Sequence, residues 1–244
     1  MHRRLLAALG PQHWWPASSP FEVVVGAILT QRVAWTNVVS AIGNLARRGW
    51  LEPRALAEAP RPDLESAIRP AGFYRQKAAR LQAVAAAVAS AGGDVSLWLD
   101  GDLALVRDRL LATPGIGPET ADSILCYAGG RPVMVVDAYA RRIFARLGEP
   151  AAVRPYAEFQ EILAQDLPAA VLGEFHALLV SLGKQTCRAA SPRCGNCPLQ
   201  DVCQFASQLA GTADIVSKPD AASRQRQTRQ KAGAQNHGSK AAGP

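Results

Sequence analysis

The sequence predicts an all-α fold on three observations. Apolar residues recur at helical spacing through most of the first 185 positions, the periodic stretches are bounded by Pro, Gly and Asp signals, and one strand-like run stands alone. Residues 21–29 form an apolar helix leading into 36–47, where Val38, Val39, Ile42 and Leu45 share a face. Pro62-Asp63-Leu64-Glu65 opens a further helix and Gly72 stops it. Residues 77–91 are Ala-rich, align Leu81, Val84 and Val88, and end at Gly92-Gly93. An amphipathic helix at 102–112 stops at Thr113-Pro114-Gly115, and helices follow at 118–128, 137–147, 156–167 and 173–182. The strand-like run, 132–136, is short and has no partner run to pair with.

A length of 244 residues fits one large domain or two modest ones, and 48% hydrophobic residues suffice for a real core. No apolar run reaches the roughly 18 residues that cross a bilayer, and the apolar stretch after Arg3-Arg4 is too short for a secretory signal. Five cysteines are too few for a disulfide scaffold. Composition thus excludes a membrane protein, a collagen-like chain and a secreted mini-protein. The net charge of +7 favours an anionic partner such as nucleic acid. Residues 211–244 hold six Lys or Arg, two Asp and no aromatic residue, so a disordered basic tail is expected there.

Two constellations carry chemistry. Thr113-Pro114-Gly115-Ile116-Gly117-Pro118 joins two helices, making a helix-hairpin-helix over about 105–128. Gly115 and Gly117 admit positive φ and a close approach of backbone to ligand, while the N–H groups opening the next helix favour a phosphate. Ile116 would turn inward and pin the loop to the core. Cys187, Cys194, Cys197 and Cys203 are separated by six, two and five residues, a set that matches tetrahedral zinc or a [4Fe–4S] cluster. Zinc knuckles usually come as paired Cys-x-x-Cys and only Cys194–Cys197 has that form, so iron–sulfur is favoured, as a structural group. Lys184, Arg188 and Arg193 flank it as candidate phosphate contacts, and Cys126 reads as a core residue.

The hairpin, Asp137 eighteen residues beyond Glu119, and the cysteine spacing together resemble the endonuclease III family of helix-hairpin-helix DNA glycosylases, over roughly residues 1–205. The resemblance implies two helical domains: a barrel at 21–130, and a cluster-containing domain formed by 1–20 with 131–210. Damaged DNA would lie in the cleft between them, with one base flipped out. It also implies a monomer acting on double-stranded DNA containing damaged bases, cytoplasmic and nucleoid-associated. Val135-Val136-Asp137-Ala138-Tyr139 matches the family's catalytic-aspartate segment. Asp137 is also a good helix N-cap, and both roles are compatible. Its carboxylate would stabilise positive charge at the sugar C1′ and position the attacking water. Arg141 is a candidate phosphate contact.

Glu119 departs from the pattern. Bifunctional members carry a Lys there, whose amine attacks C1′, and a carboxylate cannot do so. Hydrolysis without strand cleavage is therefore expected, with Glu119 orienting water or contacting the base. Trp14-Trp15-Pro16, the Ile28-Leu29-Thr30-Gln31 stretch and Trp35 resemble the 3-methyladenine glycosylase branch, the MagIII-like group. 3-Methyladenine is cationic with a weakened glycosidic bond, so stacking and cation–π attraction by Trp14, Trp15 and Trp35 would hold it. Lys184 matches a basic position near that pocket, and Gln31 the residue that fills the gap left by the extruded nucleotide. Arg32 stands where that branch has Asn. His176 reads as a packed core residue. The expected function is a monofunctional, iron–sulfur DNA glycosylase for alkylated purines, foremost 3-methyladenine. The rivals are an oxidised-pyrimidine glycosylase and lyase, an adenine-mismatch glycosylase, and a non-catalytic damage-scanning protein.

Overall fold

The computed structural model describes residues 1–209; the tail predicted to be disordered lies outside them. Among the described residues every regular element is helical. In order these are α1 (His2–Leu9), α2 (Pro20–Leu29), α3 (Trp35–Ala46), α4 (Pro53–Glu58), α5 (Arg61–Ala67), α6 (Tyr74–Ser90), α7 (Val95–Trp98), α8 (Leu103–Leu111), α9 (Pro118–Ser123), α10 (Ala138–Leu147), α11 (Tyr156–Ala164) and α12 (Leu172–Gln185). The predicted helices recur within a few residues at most ends. Three short ones, α1, α4 and α7, have too few turns to show a period. The predicted helix at 118–128 changes character: α9 ends at Ser123, and Ile124–Ala128 continues as a π turn.

Capping explains several boundaries. Ser19 accepts the N–H of Glu22 at 3.1 Å with Pro20 following it, and Asp102 accepts the N–H groups of Ala104 and Leu105. Asp137 accepts the N–H of Ala140 at 2.7 Å, which starts α10. Gly148, at φ +97°, ends it in the left-handed region.

The buried side chains form two cores. One, including Val24, Ile28, Leu45, Leu64, Leu81 and Leu110, is enclosed by α2 to α9. The other, including Leu5, Ile143, Phe159, Phe175 and Leu182, joins α1 to α10, α11 and α12. The chain passes between them through the strand-like run: Val133 belongs to the first core, Met134 and Val136 to the second. With no strand beside it, this run stays extended and satisfies buried backbone groups by other means. The N–H of Val136 donates to Tyr156 Oη at 3.3 Å, and Met134 O accepts from Gln160 Nε2 at 2.5 Å. Gln160 also donates to Asp122 Oδ2 at 2.8 Å, and Asp122 is fully buried in a two-point pair with Arg107, at 2.7 and 3.0 Å. A polar network on α8, α9 and α11 thus ties the hairpin to the second core.

Candidate active site and DNA-facing cleft

The hairpin forms as predicted in outline. Ile116 is buried and pins the loop. Gly115 adopts φ +85°, and a Cβ there would collide with the Arg80 side chain. Gly117 differs from expectation: its φ is −93°, and it serves as the N-cap of α9 with open space around it. Its value is access rather than handedness, since no atom lies within 4 Å of where its Cβ would be.

A cavity of about 470 Å³ opens beside the hairpin, lined among others by Gln31, Arg32, Phe73, Lys77, Arg80 and Glu119. Gln31 is held at three points. Its Nε2 donates to Gly115 O at 3.1 Å and Thr120 Oγ1 at 3.0 Å, and Arg80 donates to its Oε1 at 2.6 Å. Arg32 sits at φ +56°, in the left-handed region that a long L side chain adopts only at a cost. Phe73, unremarked in the sequence, is also left-handed at φ +47° and 59% exposed, which places a bare aromatic ring on the cavity. Its signal was the Gly72-Phe73 pair directly before a helix.

Lys77 was likewise missed, being read as the start of an ordinary helix. It is buried, and its Nζ donates to Leu29 O, Gln31 O and Ala71 O at 2.7–2.8 Å, which clamps the segment carrying Gln31. Burial, helped by the Arg80 charge, pulls the ammonium down to about 8. The folded state therefore releases this proton more readily than the unfolded chain, whose lysines titrate near 10.5. Between those two values the unfolded state binds more protons, so Lys77 makes stability rise with pH. Lys77→Met is expected to cost about 3 kcal/mol or more, because three carbonyls lose their donor. In urea unfolding the gap to wild type should widen as the pH is raised through that window.

Asp137 lies at the start of α10 with Oδ1 on the Ala140 N–H. Its Oδ2 is 3.6 Å from His176 Nε2 on α12. Burial opposes ionisation of Asp137, but His176 and the N–H groups of Ala140 and Tyr139 overcome it and hold the carboxyl below its usual range. Glu119, on the first turn of α9, is shifted the other way: desolvation and then the Asp137 charge raise it, against His176 and Arg141. The two carboxyls are thus neighbours pushed apart in acidity, one held ionised and one biased toward its proton.

The three tryptophans are brought together. Ring centroids are 5.6 Å apart for Trp14 and Trp15, 5.8 Å for Trp14 and Trp35, and 5.4 Å for Trp15 and Trp35. Trp15 lies against α2 at Gly26, where a Cβ would come within 3.2 Å of its indole Nε1. Lys184 stands 4.8 Å over the Trp14 ring, and partial burial lowers its pKa while Asp137 opposes the shift. Lys184 thus faces the aromatic cluster rather than the cysteine loop. Arg141 has a different task from the one expected of it. Its Nη1 donates to Ala152 O and Arg154 O at 2.8 and 2.9 Å, and the guanidinium stacks over Phe159, so it braces α10 against the following turn.

The cysteine segment follows α12 directly. Leu199, between Cys197 and Cys203, is buried in the second core, with Cys187 and Cys197 packed against that core. Arg146 of α10 donates to Cys187 Sγ at 3.2 Å and to Arg188 O and Ala189 O at 2.8 Å, while Cys203 Sγ contacts Arg146 O at 3.3 Å. All four cysteines are free thiols. No group of three or more metal-binding side chains among the described residues is gathered tightly enough for a single metal ion.

This fold matches that of DNA repair glycosylases. The chain belongs to the HhH-GPD superfamily of base excision DNA repair proteins, whose family model matches residues 25–169. It is a base excision repair DNA glycosylase of that superfamily, with an endonuclease III-like fold. A Methanocaldococcus jannaschii protein provisionally named a DNA repair glycosylase is 42% identical over 207 residues, covering 83% of this chain and 94% of its own. A non-covalent endonuclease III–DNA complex superposes with a TM-score of 0.75 at 25% identity, over 86% of this chain and 94% of the other. The Helicobacter pylori 3-methyladenine DNA glycosylase MagIII, bound to 1,N6-ethenoadenine, gives a TM-score of 0.63 at 30% identity, over 74% and 92%.

Proposed function

We propose that the protein is a monofunctional glycosylase that extrudes alkylated purines from double-stranded DNA, foremost 3-methyladenine, and removes them by hydrolysis. The observation that carries this reading is the cluster of Trp14, Trp15 and Trp35 beneath Lys184, within electrostatic reach of Asp137. Aromatic faces suit a cationic base, whose glycosidic bond already breaks easily and needs little acid assistance. The MagIII relative, at 30% identity, supports the same substrate class. Gln31 and Phe73, from separate loops on one cavity, are the groups to enter the stack in place of the extruded nucleotide. The hairpin N–H groups and Arg32 take phosphates. Asp137, ionised, stabilises the developing sugar cation and aligns water. Glu119 holds the position from which a lysine amine would attack, so the chain lacks that nucleophile there. The protein acts as a monomer.

The cysteine loop fits a [4Fe–4S] group held by Cys187, Cys194, Cys197 and Cys203. Each of Cys187, Cys194 and Cys203 acts electrostatically on the Cys197 thiol, though the four do not converge on one ion. Arg146 already supplies the kind of hydrogen bond to sulfur that tunes such clusters. When bound, the group supplies rigidity to the loop; Arg142 and Arg146 secure the same loop from α10. The aerobically purified chain is expected to be brown, with about four irons and four sulfides per monomer. A colourless protein with one zinc would overturn the assignment.

The test offers duplexes containing 3-methyladenine, thymine glycol or an A·G mismatch, each with and without borohydride. Release of 3-methyladenine with no trapped adduct is expected. A trapped covalent complex would overturn the hydrolytic reading in favour of an endonuclease III-type lyase, and binding without release would leave a scanning protein. Within this assay, Trp14→Ala and Trp35→Ala should each lower release by about 10- to 100-fold, from the 1–3 kcal/mol that stacking one base is worth.

A further inference from the structure

We propose that His176 is a positioning residue for Asp137, with its buried imidazole oriented by Tyr127 so that Nε2 faces Asp137 Oδ2 and keeps that carboxylate turned to the cleft. The inference rests on the reading of Asp137 as the group that stabilises the sugar cation.

His176 is only 4% exposed, yet its Nε2 is buried without a hydrogen-bond partner, at 3.6 Å from Asp137 Oδ2. The other ring nitrogen, Nδ1, lies 2.5 Å from Tyr127 Oη, which is also 3.1 Å from Gly173 O. The tyrosine has one proton and two acceptors within reach. If it donates to Nδ1, the neutral imidazole carries its hydrogen on Nε2, toward Asp137. If it donates to Gly173 O, Nδ1 must donate to the phenol oxygen; Nε2 then suits a carboxylate only when it too is protonated. The first arrangement presents an N–H to Oδ2 from the neutral ring, and the second does so only from the doubly protonated ring. A Tyr127 hydroxyl that donates to Nδ1 is thus the one that turns a neutral ring's N–H toward the carboxylate.

The geometry at Asp137 agrees. Oδ1 is committed to the helix through Ala140, so Oδ2 is the oxygen left to act, and an unpartnered carboxylate this far buried would take up a proton. The charged and titratable groups facing the pair come from several elements. They are Tyr127 from the π turn, Glu119 from the start of α9, Lys184 near the end of α12, Arg141 through Glu119, and Glu174 on the histidine's own helix, which acts on Tyr127. Two of these, Glu119 and Asp137, are acids that act on each other, so removing the imidazole takes away a group that opposes the uptake of protons by both. His176 is not among the residues lining the cavity and acts through Asp137.

The test compares wild type with His176→Leu, His176→Gln and Tyr127→Phe in three readouts. These are single-turnover release of 3-methyladenine, affinity for a duplex containing an abasic-site analogue, and titration of the Asp137 carboxyl carbon by NMR. His176→Leu is expected to slow release by about 100-fold with little change in affinity. Its Asp137 titration and the acid limb of its rate profile should both move to higher pH. His176→Gln, which returns an N–H near the place of Nε2, should recover most of the rate, and Tyr127→Phe should fall between. Should His176→Leu not fold, the other two variants carry the comparison. The proposal is overturned if removing the imidazole leaves the Asp137 titration unmoved, or if His176→Gln is no better than His176→Leu. If wild type releases no 3-methyladenine, the proposed substrate fails, and the carboxyl titration still decides the role of His176.

Discussion

Asp137→Asn is expected to slow base release by about 1,000-fold while leaving the fold and DNA affinity nearly intact. Asn is as good an N-cap as Asp, so the bond to the Ala140 N–H survives and α10 still begins at the same residue. What is lost is the negative charge. Asp137 is held ionised despite burial, by His176 and by backbone N–H groups, so the wild type carries a full charge that Asn lacks. Under the proposed function the lost charge is one that faces phosphate, so binding should hold or tighten. Because Asp137 titrates below its usual range, it should impose no acid limb near neutrality, and any limb seen there belongs to another group. The measurement is single-turnover release with saturating enzyme. A rate within about threefold of wild type would remove Asp137 from the mechanism.

The second large effect is on stability. Asp122→Ala should cost about 3–5 kcal/mol, because it leaves Arg107 facing a buried site without its carboxylate and strips a partner from Gln160. For a chain of this size that corresponds to a fall in Tm of about 10 °C. Replacing both ends, Arg107→Leu with Asp122→Leu, should be less damaging than Asp122→Ala alone, since a paired apolar substitution leaves no orphan charge. Calorimetry of the three proteins checks this. Equal losses would mean that the network adds nothing beyond packing. Gln160 belongs to the second core and Asp122 to the hairpin helix, so loosening this link should also disturb the approach of Glu119 to Asp137. Some loss of activity is expected before unfolding begins.

Much of this protein is legible in its sequence. Helices with three or more turns announce themselves because an apolar stripe and its caps are local properties: Asp102, Asp137 and Pro118 stop and start helices from their own side chains and backbone. The hairpin is legible for the same reason, since Gly115, Ile116 and Pro118 each meet a conformational demand within a few residues. The grouping of the tryptophans was an expectation from resemblance, and the rings do meet, though Trp14 and Trp35 lie on different elements.

The tertiary structure decided what depends on partners far apart in the chain. His176 looked like a packing residue because its partners, Tyr127 and Asp137, are 49 and 39 positions away, and no local pattern pairs them. Lys77 reads in the sequence only as the start of a helix, and the fold closes three carbonyls from two other segments around it. Arg141 kept its charge but lost its freedom to carbonyls on the next turn. The run at 132–136 had the composition of a strand, yet extended pairing needs a second strand, and the fold placed helices and side chains there instead. The sequence by itself thus determined the helices, the hairpin turn and the residue types able to do the chemistry. The folded chain determined which of those side chains meet, because burial and electrostatic coupling arise only when distant segments exclude water together.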